Sequence, residues 1–415
     1  MTSNKAPLQR ELPVPRVRQS PRDPAFFSDP YAFYARMHAG APVFYWEDYG
    51  VLCVASFEGV DRILRDRSFG RQRPGGYLVS VAASGDRSRL RDFDSVEANS
   101  LLELEPPVHT RLRGLVNRAF VSRQVQRLRP KIEALSHRLV DAMERKGEAE
   151  LIADFATPLP ATIIAEMMGL PVETGPQLVA WSNDMVRMYM HAPSAEDTER
   201  ANASARDFAA FIREHAAARR RRPTDDLLGV LTAAQEDGDR LTEDELVSSA
   251  ILLLNAGHEA TVHQVGNAVR AILAQGGDPR RFFGTDAETE ATVEECFRFD
   301  TPLHMFTRQV YADVVIADGV ALRPGDQVAL LLGAANRDPR MFADPDVFRP
   351  DRPERKNVSF GAGIHFCIGA PLARLELQVA LKVLFDRLPG LRIAEEPKLR
   401  NIYHFRGVER LSVKW

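Results

Sequence analysis

The chain has 415 residues, with 54 basic and 57 acidic side chains and a formal net charge of −3. That balance argues against nucleic acid as the partner. Three cysteines are too few for a disulfide framework and fit a reducing, cytoplasmic setting. The first 22 residues are polar and rich in Pro and Arg, with no apolar stretch to serve as signal or anchor, so no membrane association is expected.

In chain order, residues 1–24 read as an extended arm and 29–38 as a short helix. Residues 41–47 and 51–56 are apolar and β-branched around Asp48-Tyr49-Gly50, which predicts a hairpin. Residues 57–66 read as helix. Residues 68–100 carry scattered glycines, arginines and serines and read as one long irregular loop. Pro106-Pro107 heads a helix over 106–120. Apolar residues at helical spacing predict another over 124–146. Further helices are expected over 160–169, 176–191 and 203–222, the last ending in four arginines that read as a solvated end. Thr242 and Glu245 form a capping box that opens a helix running to 275, roughly 50 Å at 1.5 Å per residue. Its middle, 250–256, is almost wholly apolar and should be buried on all sides. A helix over 286–299, short strands at 309–316, 320–322 and 328–332, a helix over 371–388 and two short strands complete a helix-dominated chain.

Chemistry concentrates at residues 360–374. Cys367 sits in a loop punctuated by Gly361, Gly363 and Gly369, which let the backbone turn sharply and approach a flat ligand. A helix follows at once, and its free amides and dipole would favour a thiolate. Such a thiolate suits a proximal iron ligand. The order Phe360, Gly363, His365, Cys367, Gly369 follows the pattern Phe-x-x-Gly-x-His-x-Cys-x-Gly at every position. It resembles the haem-binding signature of the cytochrome P-450 family.

Three further groups carry that resemblance. Glu295 and Arg298 lie three apart on one helix face and can pair; the family uses such a pair to hold the haem loop, so it is read as structural. Ala256, Gly257, His258, Glu259, Ala260 and Thr261, midway along the long helix, match the family's oxygen-binding motif, with Glu259 as the acid of a proton relay. The family usually places threonine at Ala260; Thr261 is one residue on, 100° round the helix. A zinc-protease reading of His258-Glu259 fails, because the second histidine is His263, one residue too far. Finally His109, Arg113, Arg308 and His365 match positions that bind haem propionates, and cations are the natural partners of two carboxylates in a dry pocket.

The resemblance implies a mainly α fold: a single triangular helical domain over 25–415 with a small β-rich region. It implies haem b ligated by Cys367 between the long helix and the cysteine helix, and insertion of one atom of O2 into a C–H bond of a small, largely apolar molecule. Leu252, Asn255, Ala256, His304, Phe306 and Phe405 would face the substrate, with residues 77–79 lining a covering loop. Electrons would come from NAD(P)H through a separate reductase and ferredoxin, docking at a basic cluster of Arg111, Arg113, Arg118 and Arg123. The chain is expected to act as a monomer. The rival expectations are a peroxide-using or non-oxygenating haem-thiolate enzyme, which Ala260 suggests, and a non-catalytic haem sensor.

Overall fold

Residues 13–72, 87–119, 125–189, 193–236 and 239–415 are described in the computed structural model of the chain. Seven helices frame the site: α1 (Val108–Ala119), α2 (Pro158–Met167), α3 (Gly175–Val186), α4 (Ala195–Arg221), α5 (Glu243–Leu273), α6 (Asp286–Phe299) and α7 (Ala370–Arg387). They share one core, to which α5 contributes buried residues along most of its length.

The main sheet comprises β1 (Arg16–Val17), β2 (Val43–Trp46), β3 (Val51–Val54), β4 (Phe69–Gly70), β5 (Met305–Val310) and β6 (Gln327–Leu331), in the order β1-β2-β3-β6-β5-β4. Strand alternation explains why both faces are covered. Leu52 and Val54 point into a core built with Phe57, Ile63 and Leu64 of the following helix. Val51 and Cys53 point the other way, into an aromatic core of Phe26, Phe33, Tyr34, Phe44 and Trp46. The expected hairpin forms, with Val43 opposite Val54 and Trp46 opposite Val51.

Several boundaries differ from expectation, each for a local reason. The expected N-terminal arm is not free where it is described: Arg16 and Val17 pair parallel with β2, and Pro24–Ser28 is already helical behind an Asp23 cap. Within 68–100, Phe69–Gly70 is a sheet edge and Arg91–Glu97 a helix. The helix expected from 124 begins at Arg129, because Pro130 is tolerated only in a first turn. Helix α4 starts eight residues earlier than expected, at a capping box of Ser194 and Asp197. Its arginine end is not simply solvated: Arg219 is buried, pairs with Asp226 and donates to the Gly169 carbonyl, and Arg220 pairs with Glu243.

Helix α5 spans 31 residues, about 47 Å, from the expected Thr242–Glu245 capping box. It is not buried on all sides. Leu252 and Ala260 are half-buried and Ala256 is exposed, forming an i, i+4, i+8 stripe on an otherwise buried helix.

Candidate active site

The cysteine loop is held by backbone bonds. The Cys367 amide donates to the Phe360 carbonyl (2.9 Å), and the Gly361 amide to Val358 (2.9 Å). Gly361 and Gly363 both have positive φ, +67° and +69°. Gly363 serves chain packing rather than a ligand, since a Cβ there would lie 2.2 Å from the Leu64 carbonyl oxygen. Gly369 is in ordinary helical conformation, and a Cβ there would sit 3.9 Å from the Cys367 sulfur. Burial pushes the Cys367 thiol up; the Gly369 amide, Arg113, the Ala370 amide and Arg374 pull the other way and are outweighed. The helix-start amides favour the thiolate as expected, but burial outweighs them in the protein alone.

Behind the loop, Glu295 and Arg298 form a bidentate pair at 2.7 and 2.8 Å, both almost fully buried. Arg352, which the sequence reading missed, donates to the same Glu295 at 2.9 Å. The arginines also donate to the carbonyls of Asn336, Pro345, Ala343 and Val347, so every charge is satisfied. Asn336 carries the order forward. It accepts from the Val358 amide and donates to Ser359 Oγ, which donates to the Phe297 carbonyl. This ties α6 to the chain that enters the cysteine loop.

Beside the loop lies a cation cluster. The rings of His109 and His365 are 4.4 Å apart. His109 is 2 % exposed and neither ring nitrogen has a partner among the described residues. Burial first, then His365 and Arg113, lower its pKa to about 4. Arg308, on β5, is buried and, among the described residues, donates only to its own neighbour, the Thr307 carbonyl. Burial, aggravated by Arg71, lowers its pKa to about 9. Arg113 donates to the Phe366 carbonyl (2.6 Å). Three residues here were missed: Glu105 accepts from His365 Nε2 (3.0 Å) and the Arg71 amide (2.6 Å), and the Arg71 guanidinium pairs with Glu103. The signal for Glu105 was its place just before Pro106-Pro107 and His109.

On α5 the helix runs unbroken through Gly257. Gly257 permits close packing, since a Cβ would lie 2.9 Å from Ile164 on α2. The Glu259 carboxylate accepts from Arg400 (3.1 Å) and meets His263 Nε2 at 3.3 Å. Burial opposes its charge, but His263 and Arg400 win and hold its pKa down to about 2. Thr261 is buried and lies off the Leu252–Ala256–Ala260 stripe, to which Ala260 belongs.

The cytochrome P450 family model matches residues 289–391, which contain most of α6, the Glu295 network and the cysteine loop. The biotin biosynthesis cytochrome P450 of Bacillus subtilis is 34% identical over 400 residues, covering 96% of this chain and 99% of that protein. The chain belongs to the cytochrome P450 family. Cytochrome P450 107B1 of Saccharopolyspora erythraea is 36% identical over 94% of this chain and 96% of its own. Among solved structures, P450BioI in complex with an acyl carrier protein ligated to hexadec-9Z-enoic acid superposes with a TM-score of 0.86 at 34% identity, covering 94% of this chain and 100% of that one. The Bacillus subtilis bacillaene polyketide synthase cytochrome P450 PksS gives 0.84 at 32% identity, over 95% and 99%. The fold is thus the cytochrome P450 fold, and the relatives are named as monooxygenases and hydroxylases.

The residues fit the haem-thiolate group that this P450 family carries. One thiol stands between helix-start amides, and among the described residues the buried His109 ring has no hydrogen-bond partner and the buried Arg308 makes no ion pair, with only the nearby Glu105 and Glu103 charges offsetting it. Two propionates would complete them, and a ferric ion would make Cys367 a thiolate. No group of three or more His, Cys, Asp or Glu suited to a metal ion occurs among the described residues.

The residues expected at the substrate wall differ in burial. Leu252, Ala256, Phe306 and Phe405 are half-buried or exposed, and Phe306 packs beside Gly361 of the cysteine loop. Leu303, missed in the sequence, bridges to Phe405 and is half-buried. Asn255 is buried, with Nδ2 toward Met185 Sδ (3.7 Å) and Oδ1 without a partner among the described residues. His304 is a correction. It is fully buried among Tyr31, Tyr34 and Tyr403, bonds Tyr34 through Nδ1 (2.7 Å), and packs so closely that a Cβ on Gly333 would touch it. Burial lowers its pKa to about 3, so it is a neutral structural ring rather than a pocket group. Residues 77–79 lie outside the described residues.

At the expected docking surface, Ile364 and Phe366 are exposed beside Arg113. Arg111 is engaged with Glu245. The side chains of Arg118 and Arg123 lie outside the described residues. Among the described residues, no helix is long and apolar enough to cross a membrane.

Proposed function

We propose that this P450 inserts one oxygen atom into a C–H bond of a largely apolar organic molecule, using haem b on Cys367 and electrons from a separate ferredoxin, its reductase and NAD(P)H. The balance is R–H, O2, two electrons and two protons giving R–OH and water. The observation that carries the reading is that, among the described residues, the buried His109 ring has no hydrogen-bond partner and the buried Arg308 guanidinium makes no ion pair, beside a loop that presents one cysteine.

Bound haem would supply oxygen activation; the chain's residues do the rest. Arg308, His109, His365 and Arg113 would hold the propionates, with Glu105 fixing the His365 ring. The apolar wall of Leu252, Ala256, Leu303, Phe306 and Phe405 excludes water and orients the substrate. Ile364 and Phe366 with Arg113 would receive the electron donor. Protons are the weak point. Ala260 has no hydroxyl, Thr261 is turned off the stripe of an unbroken helix, and Glu259 is ionised. A hydroxyl or carbonyl on the substrate itself would complete the relay, with the free Asn255 Oδ1 as a positioning acceptor for a hydroxyl. The solved P450BioI is in complex with an acyl carrier protein ligated to hexadec-9Z-enoic acid, a chain that carries a carbonyl, which supports a substrate with such a group.

The same Ala260 favours one second reading, a peroxide-using enzyme. Turnover separates the two. With ferredoxin, reductase and NAD(P)H, product should form, Thr261→Val should leave its coupling nearly intact, and substrate analogues without the polar group should bind but uncouple. Full turnover on hydrogen peroxide with none through ferredoxin would replace the monooxygenase reading. Collapse of coupling in Thr261→Val alone would make Thr261 the relay alcohol.

A further inference from the structure

The segment 400–407 carries Phe405 and is fastened at two places. On one side it bonds the chain before β5: the His304 amide donates to the His404 carbonyl (3.1 Å), the Arg406 amide to Pro302 (2.8 Å), and Leu303 bridges Phe405. On the other side it meets α5. Arg400 Nη1 lies 2.7 Å from His263 Nε2 and 3.1 Å from the Glu259 carboxylate. The Arg400 amide closes the segment by donating to the Gly407 carbonyl (3.0 Å). Gly407 lies against the His263 ring, where a Cβ would come within 2.3 Å of Nδ1. Glu259 and His263 are 7 % and 2 % exposed, so this ion pair is shielded and strong in its directional effect.

We propose that Arg400 and His263 are positioning residues that fasten the Phe405-bearing segment to α5 and hold the Glu259 carboxylate away from the Ala256–Ala260 stripe. The claim deepens the reading of that stripe as the substrate and oxygen wall, and rests on it. One cluster then sets two properties of the site. It fixes how far Phe405 stands from Ala256 and Ala260, and it fixes which way the only acid of the α5 motif points. Glu259 is one residue from the stripe and points away from it: Ala260 lies 100° further round. While Arg400 holds it, the carboxylate accepts bonds and cannot donate a proton. A residue on the C-terminal hairpin, 141 positions away in sequence, thereby governs both the pocket wall and the acid.

The test uses the haem-loaded protein and the variants Arg400→Gln, Arg400→Lys and Glu259→Gln. Hydrogen–deuterium exchange over residues 399–408 reads the fastening without any catalytic step. Absorbance titration of the ferric haem with imidazole, then with 4-phenylimidazole, reads the wall. Arg400→Gln and Glu259→Gln should each speed exchange in 399–408 about tenfold, the equivalent of one lost charge-assisted bond. Both should change 4-phenylimidazole affinity severalfold and leave imidazole affinity unaltered, because only the phenyl ring reaches the wall. Arg400→Lys should restore part of both effects by keeping the charge opposite Glu259. Should Arg400→Gln not fold, the near-isosteric Glu259→Gln carries the same test. Unchanged exchange and unchanged 4-phenylimidazole binding in the glutamine variants would overturn the proposal. So would loosening that the lysine variant does not reverse at all, which would assign the fastening to packing alone. Failure of the haem-site reading would show separately, as absence of a thiolate-type carbon monoxide spectrum in the unmodified protein.

Discussion

Two buried charged clusters flank the cysteine loop, and they are built to opposite rules. Around Glu295 every charge is answered: two arginines share one carboxylate, and their remaining N–H groups reach backbone carbonyls. Around Arg308 the answer is partial: among the described residues an arginine buried to the same degree has one bond, to its neighbour's carbonyl, with Glu105 and Glu103 acting only through their charge, and the His109 ring has no hydrogen bond. Buried polar groups short of partners are costly, so an anionic ligand would complete the second cluster. The first is a scaffold the protein finishes by itself. The second is a socket.

The comparison breaks most visibly at the scaffold. Glu295→Ala leaves Arg298 and Arg352 buried without their carboxylate, at a cost of roughly 3–5 kcal/mol. Soluble yield and unfolding temperature should fall sharply, and haem content with them. A Glu295→Ala protein of normal stability would show that the network is not what holds the loop.

The socket should respond in the other direction. Arg308→Leu removes a charge whose burial and neighbour Arg71 outweigh the help of Glu105 and Glu103, so apoprotein stability should hold or rise. Haem retention should fall by about 1.5–3 kcal/mol, one charge-assisted hydrogen bond, or roughly ten- to a hundred-fold in affinity. Haem transfer to apomyoglobin measures the second effect and thermal melting the first. If both stability and retention drop together, Arg308 is scaffold and the distinction fails.

Why the sequence showed one cluster better than the other follows from what each depends on. Glu295 and Arg298 are three apart on one helix, so their pairing follows from helix geometry alone. Arg352 joins from 57 residues away and gave no local signal. Glu105, Arg71 and Arg400 likewise act across long sequence separations, which spacing cannot reveal. Periodicity also placed α5 and its capping box, yet the apolar run 250–256 concealed that Ala256 faces open space. A uniform apolar stretch has no amphipathic signal to separate a buried face from a pocket wall. His304 shows the converse. A polar residue in an apolar setting suggested a pocket group, but three tyrosines and Gly333 had left it a place in the core.

A smaller effect refines the comparison on α7. Glu376 is 1 % exposed, and both carboxyl oxygens lack a partner among the described residues. Burial raises its pKa well above the usual carboxylate value. Between the unfolded and folded pKa values the folded state holds the proton that the unfolded state has released. Stability should therefore decline as pH rises from the ordinary carboxylate range toward the raised value. Glu376→Gln should flatten that decline and leave the protein modestly more stable at neutral pH. A steeper decline in the variant, read by chemical denaturation at several pH values, would mean that Glu376 is paired in solution.

The central claim is that Cys367 is the thiolate ligand of a haem held by that socket. The most direct measurement is the absorbance spectrum of the reduced, carbon monoxide-bound protein. The unmodified protein, Cys53→Ser and Cys296→Ser should all show the strongly red-shifted Soret band of a thiolate ligand, and Cys367→Ser should not. The same thiolate band in Cys367→Ser, or its absence from the unmodified protein loaded with haem, would contradict the account.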